Sequence, residues 1–181
     1  YKRQELNCWI KDIEKVAYPH SKAIDFIIGY HQWPDEELPD AVAVVDAKRV
    51  ASTYPYDHLS GCGVGFKMAQ ALAQNNRLPF SELTDLLDLV AVSIASDIVP
   101  ITGENRILAY YGLKQINSNP SLGLKGIIDL CGLTYKNITI SYIVFKIGPR
   151  INASGRMMNG KEAVDLLLSN SMEDAREKST N

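Results

Sequence analysis

The chain has 181 residues, of which 19 are Lys or Arg and 21 are Asp or Glu, so its formal net charge is −2. Hydrophobic residues make up 46% and charged residues 22%, a balance that permits a buried core and excludes disorder throughout. The charge is uneven: residues 1–98 carry 9 basic and 14 acidic side chains, whereas residues 99–181 carry 10 and 7. A uniformly basic, histone-like coat is excluded, and an anionic partner is expected to meet the second half.

Three further bounds follow from the sequence. No apolar run approaches the roughly 20 residues of a bilayer span, so no membrane contact is expected. The chain opens at Tyr1 with neither Met nor a leader pattern, which we interpret as an excised piece of a longer protein. Cys8, Cys62 and Cys131 are widely spaced and form no CxxC pair, which favours reduced thiols in a cytoplasmic protein over disulfides or a zinc site.

The first third of the chain indicates an α/β domain. Helical spacing of apolar residues predicts a helix over 6–16, and two compact apolar runs predict buried strands over 24–28 and 41–45. An acidic, proline-bounded loop over 34–39 separates these strands. Glycines at 60–65 precede the next helical pattern, where backbone N–H groups can approach a ligand.

The second part of the chain is expected to be mainly helical. Residues 83–96 form an apolar helix that ends by presenting Asp97, because Pro100 prevents its continuation. Two more helices are predicted over 104–111 and 124–131, each stopped by the glycine that follows. The remaining predictions are an extended segment at 138–147, a polar, turn-rich stretch at 146–156, an amphipathic helix at 161–168 and a fraying tail at 173–181.

The turn-rich stretch is the strongest candidate binding site. Its polar members, with the flanking Lys146 and Lys161, are Arg150, Asn152, Ser154, Gly155 and Arg156. Arginine offers a planar fork of donors suited to phosphate, and glycine lets the backbone approach. A basic surface turn is the alternative, but residues 99–161 carry 8 basic and only 2 acidic side chains. This excess favours a phosphate cradle for a nucleic-acid backbone.

Two residues are candidate metal ligands. Asp97 ends an apolar helix, where a carboxylate is costly unless it is solvated or bound to a cation. His31 follows a predicted strand closely, and ligands of open α/β sheets gather at the carboxyl ends of strands. A packed or hydrogen-bonded histidine is the alternative at that position. These residues alone do not name a reaction.

Four motifs together resemble the RecJ family, the single-strand-specific 5′ to 3′ DNA exonucleases of the DHH phosphoesterases. The motifs are LSGCGVGFK at 59–67, DLVAVSIASDIVP at 88–100, GENR at 103–106 and GPRINASGR at 148–156. Their order and spacing agree over nearly the whole chain. The resemblance implies a parallel-sheet DHH-type fold flanked by helices and a role in DNA repair and recombination.

The resemblance also implies a two-metal site, usually holding Mn²⁺ and alternatively Mg²⁺, that activates water for phosphodiester hydrolysis. Asp97 matches a metal-binding Asp, and His31 matches the first His of the family's Asp-His-His; both are thereby implied to be catalytic. The segment implied to face single-stranded DNA comprises Arg150, Asn152, Ser154, Gly155 and Arg156. Residues 104–106 match a polar motif expected near the same groove.

Several family positions are substituted in this chain. Tyr30 and Gln32 replace the Asp and the second His of Asp-His-His, and Asn7 replaces another metal-binding carboxylate. The family's first Asp-rich motif would lie before Tyr1 and its DHH-associated domain after Asn181. We therefore expect residues 1–168 to be a partial DHH domain and residues 169–181 to begin a linker.

Two surviving ligands are too few to hold two divalent cations, since such a pair needs several carboxylates. We therefore expect the chain as given to have little or no nuclease activity. Two alternatives remain: a non-catalytic module that binds single-stranded nucleic acid, and a DHH-family phosphodiesterase for short oligonucleotides or cyclic dinucleotides. The segment at 148–156 favours RecJ over the phosphodiesterase.

Overall fold

A computed structural model describes residues 24–29, 41–48, 50, 52–157 and 160–180. Two strands open the described part, β1 (Ile24–Gly29) and β2 (Ala41–Asp46). They pair in parallel, with Ile24 opposite Ala41 and Gly29 opposite Asp46. Both predicted strands are confirmed, each one residue longer than expected. The predicted helix at 6–16 and the loop at 34–39 lie outside the described residues.

Helix α1 (Gly61–Asn75) begins earlier than the glycine pattern indicated. Ser60 caps it, because the Ser60 hydroxyl accepts a hydrogen bond from the Gly63 backbone N–H at 3.2 Å. The glycines of this motif therefore lie within the first turns of the helix and do not form a loop before it. The Gly63 N–H is occupied by the cap, so it is not available to a ligand.

The predicted helix at 83–96 is a 3₁₀ segment (Phe80–Leu86) that continues into α2 (Leu87–Ser96). Helix α3 (Gly103–Ser118) follows and is longer than predicted, because Gly112 lies inside it and does not end it. A Cβ atom at Gly112 would lie 2.2 Å from the Leu87 carbonyl oxygen. The glycine is thus explained by the close approach of α2 and α3, a reason that local sequence does not reveal.

Helix α4 (Leu122–Leu130) ends before Gly132, whose φ of 68° suits the predicted helix stop. The prediction of an extended segment at 138–147 is wrong. Those residues begin a helical stretch composed of α5 (Ile140–Tyr142), a π-helical turn (Ile143–Ile147) and α6 (Gly148–Met157). The run of β-branched residues favours a strand locally, but Ile143 and Ile147, four apart, are both fully buried on one helical face.

Helix α7 (Gly160–Leu167) confirms the amphipathic helix, and α8 (Met172–Thr180) replaces the expected fraying tail. Helix α8 packs on α4: Ala175 is fully buried, and a Cβ at Gly126 would lie 3.0 Å from the Ala175 carbonyl oxygen. A domain boundary at residue 168 stays a prediction.

Helix α2 lies at the centre of the described structure, because its two sides join two hydrophobic clusters. Val90 and Ile94 pack with residues of α1 and α3, whereas Ala91 and Ala95 pack with residues of α4 and the π-helical turn. The described part therefore pairs two parallel strands with a mainly helical second part; the broader parallel sheet stays a prediction. None of the helices in the described residues has the length and hydropathy to span a membrane.

Candidate functional site

Asp97 stands at the carboxyl end of the central helix α2. Its side chain is exposed, and its Oδ2 accepts a hydrogen bond from the Ser93 hydroxyl at 3.0 Å. The chain then turns sharply, with Ile98 at a φ of 53°. Tyr56 holds this turn, since its hydroxyl donates to the Pro100 carbonyl oxygen at 3.1 Å. The fold thus presents the Asp97 carboxylate to solvent at a fixed position.

The thiol of Cys62 is held in its neutral form close to this carboxylate. Surrounding protein desolvates the sulfur, and the charges of Asp88 and Asp97 add to this effect, raising the pKa of Cys62 to about 11. The residue keeps part of its surface exposed. A protonated thiol is a poor nucleophile and a poor metal ligand at neutral pH, so Cys62 adds no donor to Asp97.

Asp88, in the first turn of α2, has a structural role. It is fully buried, and its two oxygens accept hydrogen bonds from the backbone N–H groups of Leu89 and Ser121, both at 2.7 Å. The Ser121 bond joins α2 to the start of α4. With both oxygens satisfied, Asp88 is explained by the fold and not by chemistry at the site.

The polar motif at 103–106 also serves mainly to join elements. Glu104 accepts hydrogen bonds from Lys67 at 3.0 Å and from the Tyr54 hydroxyl at 2.5 Å. Burial of Tyr54 and the bond and charge of Glu104 raise the pKa of that tyrosine. Asn105 is fully buried and donates to the carbonyl oxygens of His58 and Pro100. Through these hydrogen bonds the motif joins α1, α3 and the preceding loop.

Lys146 and Arg150 form a surface that we term the cationic face. Both side chains are exposed, Lys146 on the π-helical turn and Arg150 on α6. Both act on Cys131: burial raises the pKa of that thiol, while the positive charges of Arg150 and Lys146 oppose the increase. The Lys146 ammonium lies 5.9 Å from the centre of the Tyr142 ring, a cation–π contact. The two cations therefore lie on the same side of the helical stretch.

Acidic side chains are absent from the stretch that contains this face. Residues 130–161 contain five Lys or Arg and no Asp or Glu. The preceding acidic residue, Asp129, already accepts a hydrogen bond from Thr134 at 2.8 Å and lies 3.9 Å from Arg176. The cationic face is thus free to attract an anionic ligand.

A close contact brings the start of α6 to the end of α2. A Cβ atom at Gly148 would lie 2.7 Å from the Ser96 hydroxyl oxygen and 3.1 Å from the Ile143 carbonyl oxygen. Glycine lets the start of α6 rest directly on Ser96, the residue that precedes Asp97. The start of α6 therefore lies against the helix end that carries Asp97, although the two segments are far apart in the sequence.

Comparison with known proteins gives the same family as the motifs. A single-stranded-DNA-specific exonuclease RecJ from Bacillus subtilis is 40% identical over 155 residues, which cover 85% of this chain and 19% of that relative. The chain is a RecJ homologue. It spans about a fifth of the length of that RecJ. No family model matches the chain.

Solved RecJ structures share the fold. The crystal structure of an exonuclease RecJ bound to manganese matches with a TM-score of 0.72 and 28% identity, covering 86% of this chain and 38% of that one. RecJ from Thermus thermophilus in complex with Mg²⁺ matches with a TM-score of 0.61 and 31% identity, covering 67% of this chain and 19% of that one. Divalent metals are thus a feature of these RecJ structures.

The metal-binding residues expected from RecJ are described only in part. Asn7, Tyr30, His31 and Gln32 lie outside the described residues. Within the described ranges, no group of three or more His, Cys, Asp or Glu side chains could hold a metal ion. Asp97 lies at an exposed helix end, its role as a metal ligand stays a prediction, and the described donors do not fit a pair of divalent cations.

The expected DNA-binding residues lie on a helix, and the turn predicted at 146–156 is wrong. The packing of Ile147 and Gly148 against the core and the end of α2 selects the helical form. Arg150 and Asn152 are both exposed, about half a helical turn apart, so they would contact a ligand at different points. Ser154, Gly155 and Arg156 belong to α6, and their side chains lie outside the described part.

Aromatic residues that the sequence patterns do not indicate accompany the cationic face. Phe145 is 77% exposed on the π-helical turn, and Tyr142 underlies Lys146. Their signal was present as the helical spacing of Tyr142, Lys146 and Arg150, four residues apart. It was hidden because Ile, Val and Thr around them favour a strand.

Proposed function

We propose that this chain is a RecJ-like nuclease region that binds single-stranded DNA on its cationic face. In this proposal Lys146 and Arg150 contact backbone phosphates, because exposed cations attract the nucleic-acid backbone and release its bound counterions. Asn152 and, further along α6, Ser154, Gly155 and Arg156 contact the strand beyond them. Hydrolysis of phosphodiester bonds in the 5′ to 3′ direction belongs to the whole protein.

One observation carries the proposal: the close packing of Gly148 against Ser96. A strand bound on the cationic face would pass the end of α2, where Asp97 presents its carboxylate. In RecJ-like hydrolysis Asp97 and His31 would bind metal, and the metals would supply activated water and charge stabilisation. What the described residues contribute is the positioning of the phosphate backbone beside that carboxylate.

We propose further that catalysis by this chain is impaired. The support is the substitution of ligand positions by Asn7, Tyr30 and Gln32, together with the incomplete donor set of the described residues. A non-catalytic single-stranded nucleic-acid-binding module is the second candidate function. It is favoured by the cationic face, which does not depend on the substituted positions.

We also propose a domain organisation, a cellular location and a biological role for the chain. Residues 1–168 would correspond to part of the DHH domain of RecJ, and residues 169–181 would begin the connection to a DHH-associated domain. A cytoplasmic location and a role in DNA repair and recombination are proposed with the RecJ assignment.

Binding is tested by fluorescence anisotropy with a labelled, 5′-phosphorylated single strand of about 20 nucleotides, titrated at several salt concentrations. We expect affinity to fall with salt, and the double variant Lys146→Ala/Arg150→Ala to reduce the log–log slope by about 1.4, the value for two phosphate contacts on a single strand. Lys125→Ala, which removes an exposed cation on α4, is the matched control and should leave the slope unchanged. Equal slopes for the double variant and the unmodified protein would contradict the assigned DNA contacts.

Impairment is tested separately by release of nucleotides from the same strand in Mn²⁺ or Mg²⁺. We expect no release above the metal-free background, while binding persists. Metal-dependent release that the Asp97→Asn variant abolishes would refute impairment and would favour the nuclease over the binding module.

A further inference from the structure

Phe145 is exposed to an extent that folding does not explain. Its side chain is 77% exposed, although the residues that anchor the same turn, Ile143 and Ile147, are fully buried. The two isoleucines therefore hold the turn in place without help from Phe145. A π-helical turn is itself uncommon and occurs frequently at functional sites. Here it presents an aromatic ring and the adjacent Lys146 to solvent.

The residues near Phe145 indicate which class of ligand this surface would bind. The cationic face lies beside it, and the stretch 130–161 contains no acidic residue. An apolar protein partner would have to leave these cations unpaired, whereas a single-stranded nucleic acid offers both a phosphate for each cation and an unpaired base for the ring. A duplex offers the phosphates alone, since its bases are stacked inside.

We propose that Phe145 stacks on an unpaired base of a single-stranded DNA whose flanking phosphates contact Lys146 and Arg150. This inference rests on the proposed function and adds to it the residue that distinguishes a single strand from a duplex. Tyr142 is a positioning residue, because its ring lies under the Lys146 ammonium and holds it beside Phe145.

The test compares three labelled ligands of equal length by anisotropy: a single strand of thymidines, a strand of abasic sites with the same phosphates, and a duplex. The unmodified protein should bind the thymidine strand more tightly than the abasic strand or the duplex. Phe145→Ala should weaken binding to the thymidine strand by about 5- to 100-fold, the equivalent of one stacked base, and leave binding to the abasic strand unchanged. Phe145→Trp should retain affinity, with its fluorescence quenched on binding.

Tyr110→Ala is the matched control, because Tyr110 is 66% exposed on α3, and it should bind as the unmodified protein does. Circular dichroism should show all variants folded, since the truncated side chains are exposed. Equal affinity of the unmodified protein for the thymidine and abasic strands, or an unchanged affinity of Phe145→Ala, would overturn the stacking role while leaving the phosphate contacts intact. Failure to bind any strand would instead overturn the proposed function, and the stacking role with it.

Discussion

Replacement of Gly112 by alanine tests the packing of α2 against α3, on which the position of Asp97 depends. The new Cβ would lie 2.2 Å from the Leu87 carbonyl oxygen and 2.5 Å from the Ala91 Cβ. Both contacts are far shorter than ordinary van der Waals contact, and a backbone carbonyl cannot rotate away as a flexible side chain can. The two helices must therefore separate.

Two opposing effects determine how much Gly112→Ala changes the free energy of unfolding. Overpacking of this kind costs about 3 kcal/mol, at the upper end of its usual range, because backbone atoms are involved. Alanine favours a helix over glycine by about 1 kcal/mol. We therefore expect Gly112→Ala to lower the free energy of unfolding by about 2 kcal/mol, which for a chain of this size lowers Tm by about 4–8 °C.

Thermal unfolding followed by circular dichroism at 222 nm measures this change. Gly132 provides the control, because nothing lies within 4 Å of a Cβ there and only its φ of 68° requires glycine. Asparagine tolerates that conformation, so Gly132→Asn should remain close to the unmodified protein, whereas Gly132→Ala should lose about 1 kcal/mol. A Tm of Gly112→Ala equal to or above that of the unmodified protein would refute the close approach of the helices.

Three further predictions concern the groups around the site. Asp88→Ala should lower the free energy of unfolding by about 3 kcal/mol in urea titrations, because it leaves the buried Ser121 N–H and the partly buried Leu89 N–H without their acceptor; a loss below about 1 kcal/mol would contradict this role. Since the pKa of Cys62 is about 11, its alkylation by iodoacetamide, followed by mass spectrometry, should be slow at pH 8 and increase up to about pH 11. Asp97→Asn removes a negative charge and should shift the pH profile of alkylation to lower pH. An unshifted profile would show that the charge of Asp97 does not raise the pKa of Cys62. Tyr54→Phe should cost about 1 kcal/mol by removing its hydrogen bond to Glu104, an effect that should vanish in a Glu104→Met/Lys67→Met background, where no acceptor remains.

Local sequence predicted the parts of the fold in which propensity and packing agree. The two strands and the helix that ends at Asp97 follow from compact apolar runs and from Pro100. A glycine after an apolar helical pattern usually marks a helix stop, so local sequence predicts a stop at Gly112. Its real function, to let α3 cross α2, depends on Leu87, which lies far earlier in the chain and cannot be recognised locally.

In the candidate site, too, some features are visible in the sequence and others are decided by packing. The family resemblance and the basic excess of residues 99–161 were both present in the sequence, and comparison with RecJ proteins confirms the first. The segment around Arg150 is predicted to be a turn, because Gly, Pro, Asn and Ser favour turns. Contacts of that segment with the core and with the end of α2 made it a helix instead.

The sequence by itself therefore determined the homology to RecJ, the uneven charge and the residues that carry chemistry, because these are properties of composition and motif order. Only the tertiary structure decided which of those residues meet. Gly148 rests on Ser96, so the start of α6 lies against the helix end that carries Asp97, and burial of Ile143 and Ile147 leaves Phe145 exposed next to the cationic face. The physical reason is that long-range packing can outweigh local propensities, which differ by only about 1 kcal/mol per residue.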